Sequence, residues 1–125
     1  MRDEGAKRQD LVRRTKLFAL LVIRLYSSLP KSTAAQVLGR QVLRSGTSVG
    51  AHYREACRAK SNADFISKIE GALQELDETA YWLDLLQESE TIKTGAAQAL
   101  IAECNELISI FVSIVKSVKS STRMK

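Results

Sequence analysis

Residues 41–59, QVLRSGTSVGAHYREACRA, hold the pattern from which the architecture follows. Continued a turn or two backwards, one face carries Ala35, Leu38, Val42, Ser45, Val49, His52, Ala56 and Ala59, at alternating steps of three and four. That is the period of a helix packed along a seam. Small residues crowd its middle: Ser45, Gly46, Ser48, Val49, Gly50 and Ala51. They let a neighbouring backbone approach closely, so this helix is expected to be the central one. A second face carries Arg40, Arg44, Thr47, Ala51, Arg54 and Arg58, an arginine stripe at the same spacing.

Working outward, Leu29-Pro30 marks the start of this helix, because the residue before a proline avoids helical geometry and proline fits a first turn. The helix is predicted over 31–60. Before it, Leu11, Thr15, Phe18, Val22, Leu25 and Leu29 predict a helix over 9–29, with Arg13, Lys16 and Arg24 on its wetter side. After it, Ser61-Asn62-Ala63-Asp64 supplies capping chemistry for a third helix over 63–88. Its seam is Ile66, Ile69, Leu73, Leu76, Ala80 and Leu83, widened by Phe65, Ala72, Thr79 and Leu86. Glu70, Asp77 and Asp84 form an acidic rail beside that seam. The far side holds Lys68, Gly71, Glu75, Glu78, Trp82 and Leu85, with Tyr81 alongside. Trp82 either tucks against its own subunit or anchors a contact between subunits, and the enrichment of Trp and Tyr at interfaces favours the second. Tyr81, Trp82 and Leu85 are therefore the predicted oligomer interface. A short connection over 91–95 leads to a fourth helix over 96–118, whose seam runs Ala97, Leu100, Cys104, Leu107, Phe111, Ile114 and Val118. The basic end, KSVKSSTRMK, reads as frayed. Four long helices with short turns predict an all-α, antiparallel up-down-up-down four-helix bundle in a single domain over 1–125.

The bulk composition agrees. At 125 residues with 45% hydrophobic and 26% charged side chains, the chain is sized for one core. One proline and six glycines are too little punctuation for many strands. No stretch is expected to be long and uncharged enough to span a bilayer, and the N-terminus lacks the apolar core of a signal peptide. Cys57 and Cys104 read as reduced, buried thiols of a cytoplasmic protein. The net charge of +5 is unevenly spread. Residues 1–60 hold thirteen Lys and Arg against four Asp and Glu, residues 61–108 two against ten, and residues 109–125 four against none. Either basic and acidic helices neutralise one another, or a basic surface is left for phosphates.

Chemistry is hard to find. The one histidine, His52, sits on the apolar seam, five residues from Cys57, so it is read as structural and not as the base of a nucleophile. A di-iron carboxylate site needs Glu-x-x-His pairs on facing helices, and a single histidine cannot supply them. Gly46 and Gly50 lie mid-helix without the strand and lysine of a phosphate loop. Arg44 and His52, with seven residues between them, are a poor match to the spacing of metal-independent helical ribonucleases. No enzyme activity, metal or cofactor is expected.

Residues 29–86 carry a further signal in Leu29-Pro30, Gln41, Arg44-Ser45, Ser48-Val49, Glu55-Ala56, Ser61, Phe65, Ile69, Ala72, Glu75 and Tyr81-Trp82-Leu83. As a set these resemble the four-helix-bundle family of 23S rRNA intervening-sequence proteins. The match is close in the second and third helices and one of pattern in the first and fourth. His52 departs from an expected asparagine. The resemblance implies a bundle that assembles as a homopentameric ring, some of whose members are encoded within large-subunit rRNA insertions, with no established catalysis. The chain is also similar to accessory proteins of diversity-generating retroelements, which implies nucleic acid and a reverse transcriptase as partners.

Two functional readings follow. In the first, a non-enzymatic ring binds RNA or DNA with little sequence preference through Arg13, Lys16, Arg40, Arg44, Arg54, Arg58, Lys116 and Lys119, joined by Arg123 and Lys125. In the second, the ring is an adaptor for a protein such as a reverse transcriptase. Arg44 is where they collide, since it can equally pair with Glu75 or Glu78.

Overall fold

The computed structural model describes residues 4–123, and Lys125 lies outside them. Their regular structure is entirely helical: α1 Glu4–Ser28, α2 Thr33–Cys57, α3 Asn62–Glu88 and α4 Gln98–Arg123. α2 and α3 share the most extensive interface, α1–α2 and α3–α4 follow, and α1 meets α4 least. The four helices thus enclose one core, built on Phe18, Val22, Val49, Leu76, Leu107 and Phe111, with a looser fourth side.

The helix ends are set by local hydrogen bonds. Pro30 does not open α2. Ser32, in extended conformation, caps it by accepting from the Ala35 N–H, while the Pro30 carbonyl accepts from Gln36 Nε2 at 2.9 Å. A side-chain acceptor for an orphan amide outweighs the fit of proline to a first turn. Ser61 caps α3 in the predicted manner, accepting from the Asp64 N–H at 3.0 Å. α2 stops at Cys57, three residues short of its predicted end. The tail is not frayed within the described residues: α4 runs to Arg123, held near its end by Asn62 Nδ2 donating to Thr122 Oγ1 at 3.1 Å and by Lys119 on Glu70.

Between α3 and α4 the connection is longer than 91–95. Glu90 sits in the left-handed region with φ 58°. Its N–H donates to Gln87 O at 3.0 Å, and the Thr91 N–H donates to Leu86 O at 3.1 Å. That is the Schellman pattern, with a glutamate where glycine is preferred. Gly95, φ 87°, turns the chain into α4.

The small-residue seam does let a helix come close, and the neighbour is α1. A Cβ on Gly46 would stand 2.6 Å from Val22 Cγ2, and one on Gly50 3.2 Å from Thr15 Oγ1. On the α3 side, Thr79 donates its hydroxyl to Ser45 Oγ at 2.7 Å, and Ser45 donates to Gln41 O at 2.8 Å. The buried stripe of α2 is Ala35, Gly39, Val42, Ser45, Gly46, Val49, Tyr53 and Ala56. Tyr53, stacked on Phe111 at 5.5 Å, takes the core position that the pattern assigned to His52. A straight helix of 3.6 residues per turn drifts off a strict three-four repeat, and α2 must also serve two neighbours. The same drift makes Val115 buried near the end of α4 where Ile114 and Val118 are only half-buried.

Over Gln98–Thr122, α4 is long and apolar enough to cross a bilayer, with mean hydropathy 1.5. The run is not uncharged, since Glu103, Glu106, Lys116 and Lys119 interrupt it. The apolar content is spread over a buried stripe (Leu100, Cys104, Leu107, Phe111, Val115) and half-buried flanks packed against the core, such as Ile101 and Ile108.

Candidate nucleic-acid interface

The predicted arginine stripe does not survive as one patch. Arg40 and Arg54 are both exposed on α2 but fourteen residues apart, about 21 Å along a helix. Between them Arg44 is engaged: Nη2 lies 2.6 Å from Glu78 Oε1 and Nη1 3.4 Å from Glu75 Oε1. His52 Nε2 comes within 3.6 Å of Glu75 Oε2, and its ring lies against Gly71. Arg44 and His52 therefore converge on one carboxylate in the α2–α3 groove. The side of α3 read from the pattern as facing away (Gly71, Glu75, Glu78) is the flank that meets α2. Trp82 lies on that flank, half-buried against the chain's own core, with its Nε1 buried and unbonded. Tyr81 packs edge-on to it at 5.1 Å and is 57% exposed. Leu85 is half-buried.

Arg14, which the pattern did not single out, clasps the looser side of the bundle. Its Nε and Nη2 donate to Glu103 at 2.7 and 2.8 Å, and Nη2 also reaches Glu106 at 2.9 Å. The bond to Glu103, then that to Glu106, hold its guanidinium firmly protonated. On the outer face of α1, Arg13, Lys16 and Arg24 are exposed among Leu17, Leu20, Leu21 and Ile23, themselves 39–50% exposed.

What the fold assembles instead is a basic end. The start of α1, the end of α2, the start of α3 and the end of α4 surround a cleft of about 930 Å³, with Lys7, Arg8 and Lys60 at its mouth. Outside the cleft lining, Arg54 and Arg58 stand exposed near the end of α2, and Lys116 and Lys119 toward the end of α4. Of these, Lys119 pairs with Glu70 at 3.5 Å, and Glu70 is exposed. Lys7, Arg8, Arg54, Arg58, Lys60 and Lys116 are exposed and form no ion pair among the described residues. Lys7, Arg8 and Lys60 escaped the pattern because no helical repeat links them. The only trace was the excess of basic residues over 1–60 and in the tail.

Both cysteines are free thiols. Cys104 is fully buried and donates to Leu76 O at 3.1 Å; burial, then the charge of Asp77, pushes its pKa up to about 12. Cys57 is half-buried and lines the cleft, so only one of the two thiols is inaccessible. Among the described residues no three His, Cys, Asp or Glu side chains group as metal ligands.

The 23S rRNA-intervening sequence protein family matches residues 7–113. The chain belongs to that family. A crystal structure of a protein of unknown function from the S23 ribosomal protein family of Bacteroides thetaiotaomicron is similar to this family member at 38% identity and a TM-score of 0.81. The alignment covers 88% of this chain and 98% of that one. Among curated proteins none matches. The family and the four-helix architecture thus agree with the resemblance carried by residues 29–86.

Proposed function

We propose that this family member is a non-catalytic, nucleic-acid-associated protein whose phosphate-contacting surface is the basic end of the bundle. The observation that carries the reading is that Lys7, Arg8 and Lys60 line one cleft at the end of the bundle, with Arg54, Arg58 and Lys116 on the same helix ends, all exposed and without ion pairs among the described residues. Exposed cations gathered at one end, where Asp10 is the one carboxylate of the cleft lining and is already engaged, repel each other, and a phosphate backbone relieves that repulsion while releasing counterions. The family description ties its members to 23S rRNA intervening sequences, which suits RNA as the partner, with DNA the alternative.

The reading includes an antiparallel up-down-up-down bundle that self-associates as a ring. In support of the topology, partners of successive α3 residues fall at successively earlier α4 residues: Asn62 with Thr122, Glu70 with Lys119, Leu76 with Cys104. In support of the ring, the outer face of α1 offers exposed Leu17, Leu20 and Leu21 among Arg13 and Arg24, which form no ion pair among the described residues. The outer face of α3 offers Tyr81 among Asp77, Asp84 and Glu88, which form no ion pair among the described residues. Two unlike faces complementary in charge make a head-to-tail contact, the kind that yields a ring when the rotation between copies closes. Arg13 and Lys16 belong to this contact rather than to the phosphate surface, and Leu85 and Trp82 support Tyr81 from beneath.

The test is fluorescence anisotropy with short RNA and DNA across a salt series. Log affinity is expected to fall linearly with log salt, with a slope of about −0.9 for each duplex phosphate contacted. Arg54→Glu with Arg58→Glu is expected to flatten that slope while circular dichroism stays unchanged. Absence of binding at the lowest salt overturns the reading and leaves a protein-binding adaptor.

A further inference from the structure

We infer that the cleft at the basic end receives an unstacked nucleotide, so that single-stranded or looped nucleic acid is preferred over duplex. The inference rests on the phosphate-binding reading above and adds a ligand site to it. Three parts of a nucleotide meet three different linings. The mouth carries Lys7, Arg8 and Lys60, suited to phosphate. Asp10 lies there too and is already engaged within the chain. One wall is α4, where Ser113, Ser117 and Ser121 recur every four residues, exposed and without hydrogen bonds among the described residues. A row of free hydroxyls suits the donors and acceptors of a sugar or base edge. It does not suit an acyl chain. The floor is Phe65 with Ile114 and Val118, each half-buried in the isolated chain and facing the cleft.

The volume, about 930 Å³, lies within the range of small-ligand sites, roughly 300–1,000 Å³. Bases stacked inside a duplex cannot enter; a base at a strand end or in a loop can, and its face then covers the apolar floor. The cleft opens where α1 and α4, the least closely packed of the touching helix pairs, are tied by Arg14, which itself lines it. The aromatic lining was invisible in the sequence because Phe65 reads there as part of the α3 seam.

The thiol of Cys57 on the cleft wall provides the readout, with buried Cys104 as the silent reference. Labelled single strands and duplexes of the same sequence, RNA and DNA in separate arms, are titrated into the full chain at one salt concentration. Affinity and the rate of Cys57 alkylation are both followed. The expected result is single-strand affinity about tenfold above duplex, with alkylation slowed by single strands alone. Ser117→Leu, at an exposed site, fills part of the cleft without offering a base a stacking face and without touching the core. It is expected to erase the single-strand advantage and leave duplex affinity and helix content unchanged. Equal affinity for both forms, or unprotected Cys57 while single strands bind, overturns the inference and leaves the phosphate surface standing. No binding of either form overturns both readings.

Discussion

At Gly46 the packing of α2 on α1 is felt at a single carbon. Alanine is the better helix former by about 1 kcal/mol, yet its Cβ would stand 2.6 Å from Cγ2 and 3.0 Å from Cγ1 of fully buried Val22. A β-branched side chain inside a filled core has no free rotamer to retreat to. Gly46→Ala is therefore expected to lose about 1–3 kcal/mol net, read as a lower urea midpoint with unchanged m. Cys104 makes a second residue-scale prediction. Its thiol ionises at about 12 in the folded chain against 9.0 ordinarily. Between those values the folded state holds the extra proton, so stability falls as pH rises from about 9, by up to about 1.4 kcal/mol per unit. Urea melts across that window are expected to show the fall in the native chain and to lose this contribution in Cys104→Ala, which is less stable at neutral pH. An equal alkaline slope in both proteins would remove Cys104 as its cause.

At the scale of the helix, the end of α3 holds a correctable cost. Glu90 occupies the left-handed position of a complete Schellman motif, where a side chain costs roughly 1 kcal/mol that glycine does not. Glu90→Gly is expected to raise stability by about 0.5–1 kcal/mol, seen as a higher midpoint in thermal or urea melts. The exposed leucines of α1 are the other element-scale feature. Leu20 is 47% exposed and lies outside the core, so Leu20→Glu leaves the fold intact. It is expected to lower the mass measured by light scattering toward one chain, and an unchanged mass would exclude α1 from the proposed self-contact. Trp82→Ala is the weaker probe, because Trp82 packs against the core of its own chain.

Across the whole molecule, the arginines divide by what the neighbouring helices offer them. Arg44 is answered by Glu75 and Glu78, and Arg14 by Glu103 and Glu106. Arg54 and Arg58 find no carboxylate among the described residues. Arg44→Glu would set three carboxylates together at the α2–α3 groove. It is expected to destabilise the bundle without flattening the salt dependence of nucleic-acid binding. The Arg54, Arg58 double reversal is expected to do the opposite, and equal effects of the two variants on the salt slope would remove the distinction.

Periodicity made the four helices legible, because a buried stripe must recur near every 3.6 residues whatever it packs against. It also exposed the small middle of α2 and the cap at Ser61, both local in origin. Helix ends were less legible, since Ser32 outranks Pro30 only through a bond that forms in three dimensions. The exchange of His52 for Tyr53 in the core followed from α2 having to face α1 and α3 together. The site was legible only as a segregation of charge along the chain. Whether a given arginine is neutralised depends on carboxylates about thirty to ninety residues away, as Arg44 with Glu75 and Arg14 with Glu103 illustrate. The sequence alone determined which segments are helical and which faces are apolar, because those depend on near neighbours. Packing sets which charges stay free and where a cleft opens, because Lys7, Lys60 and Ser117 become neighbours through it alone.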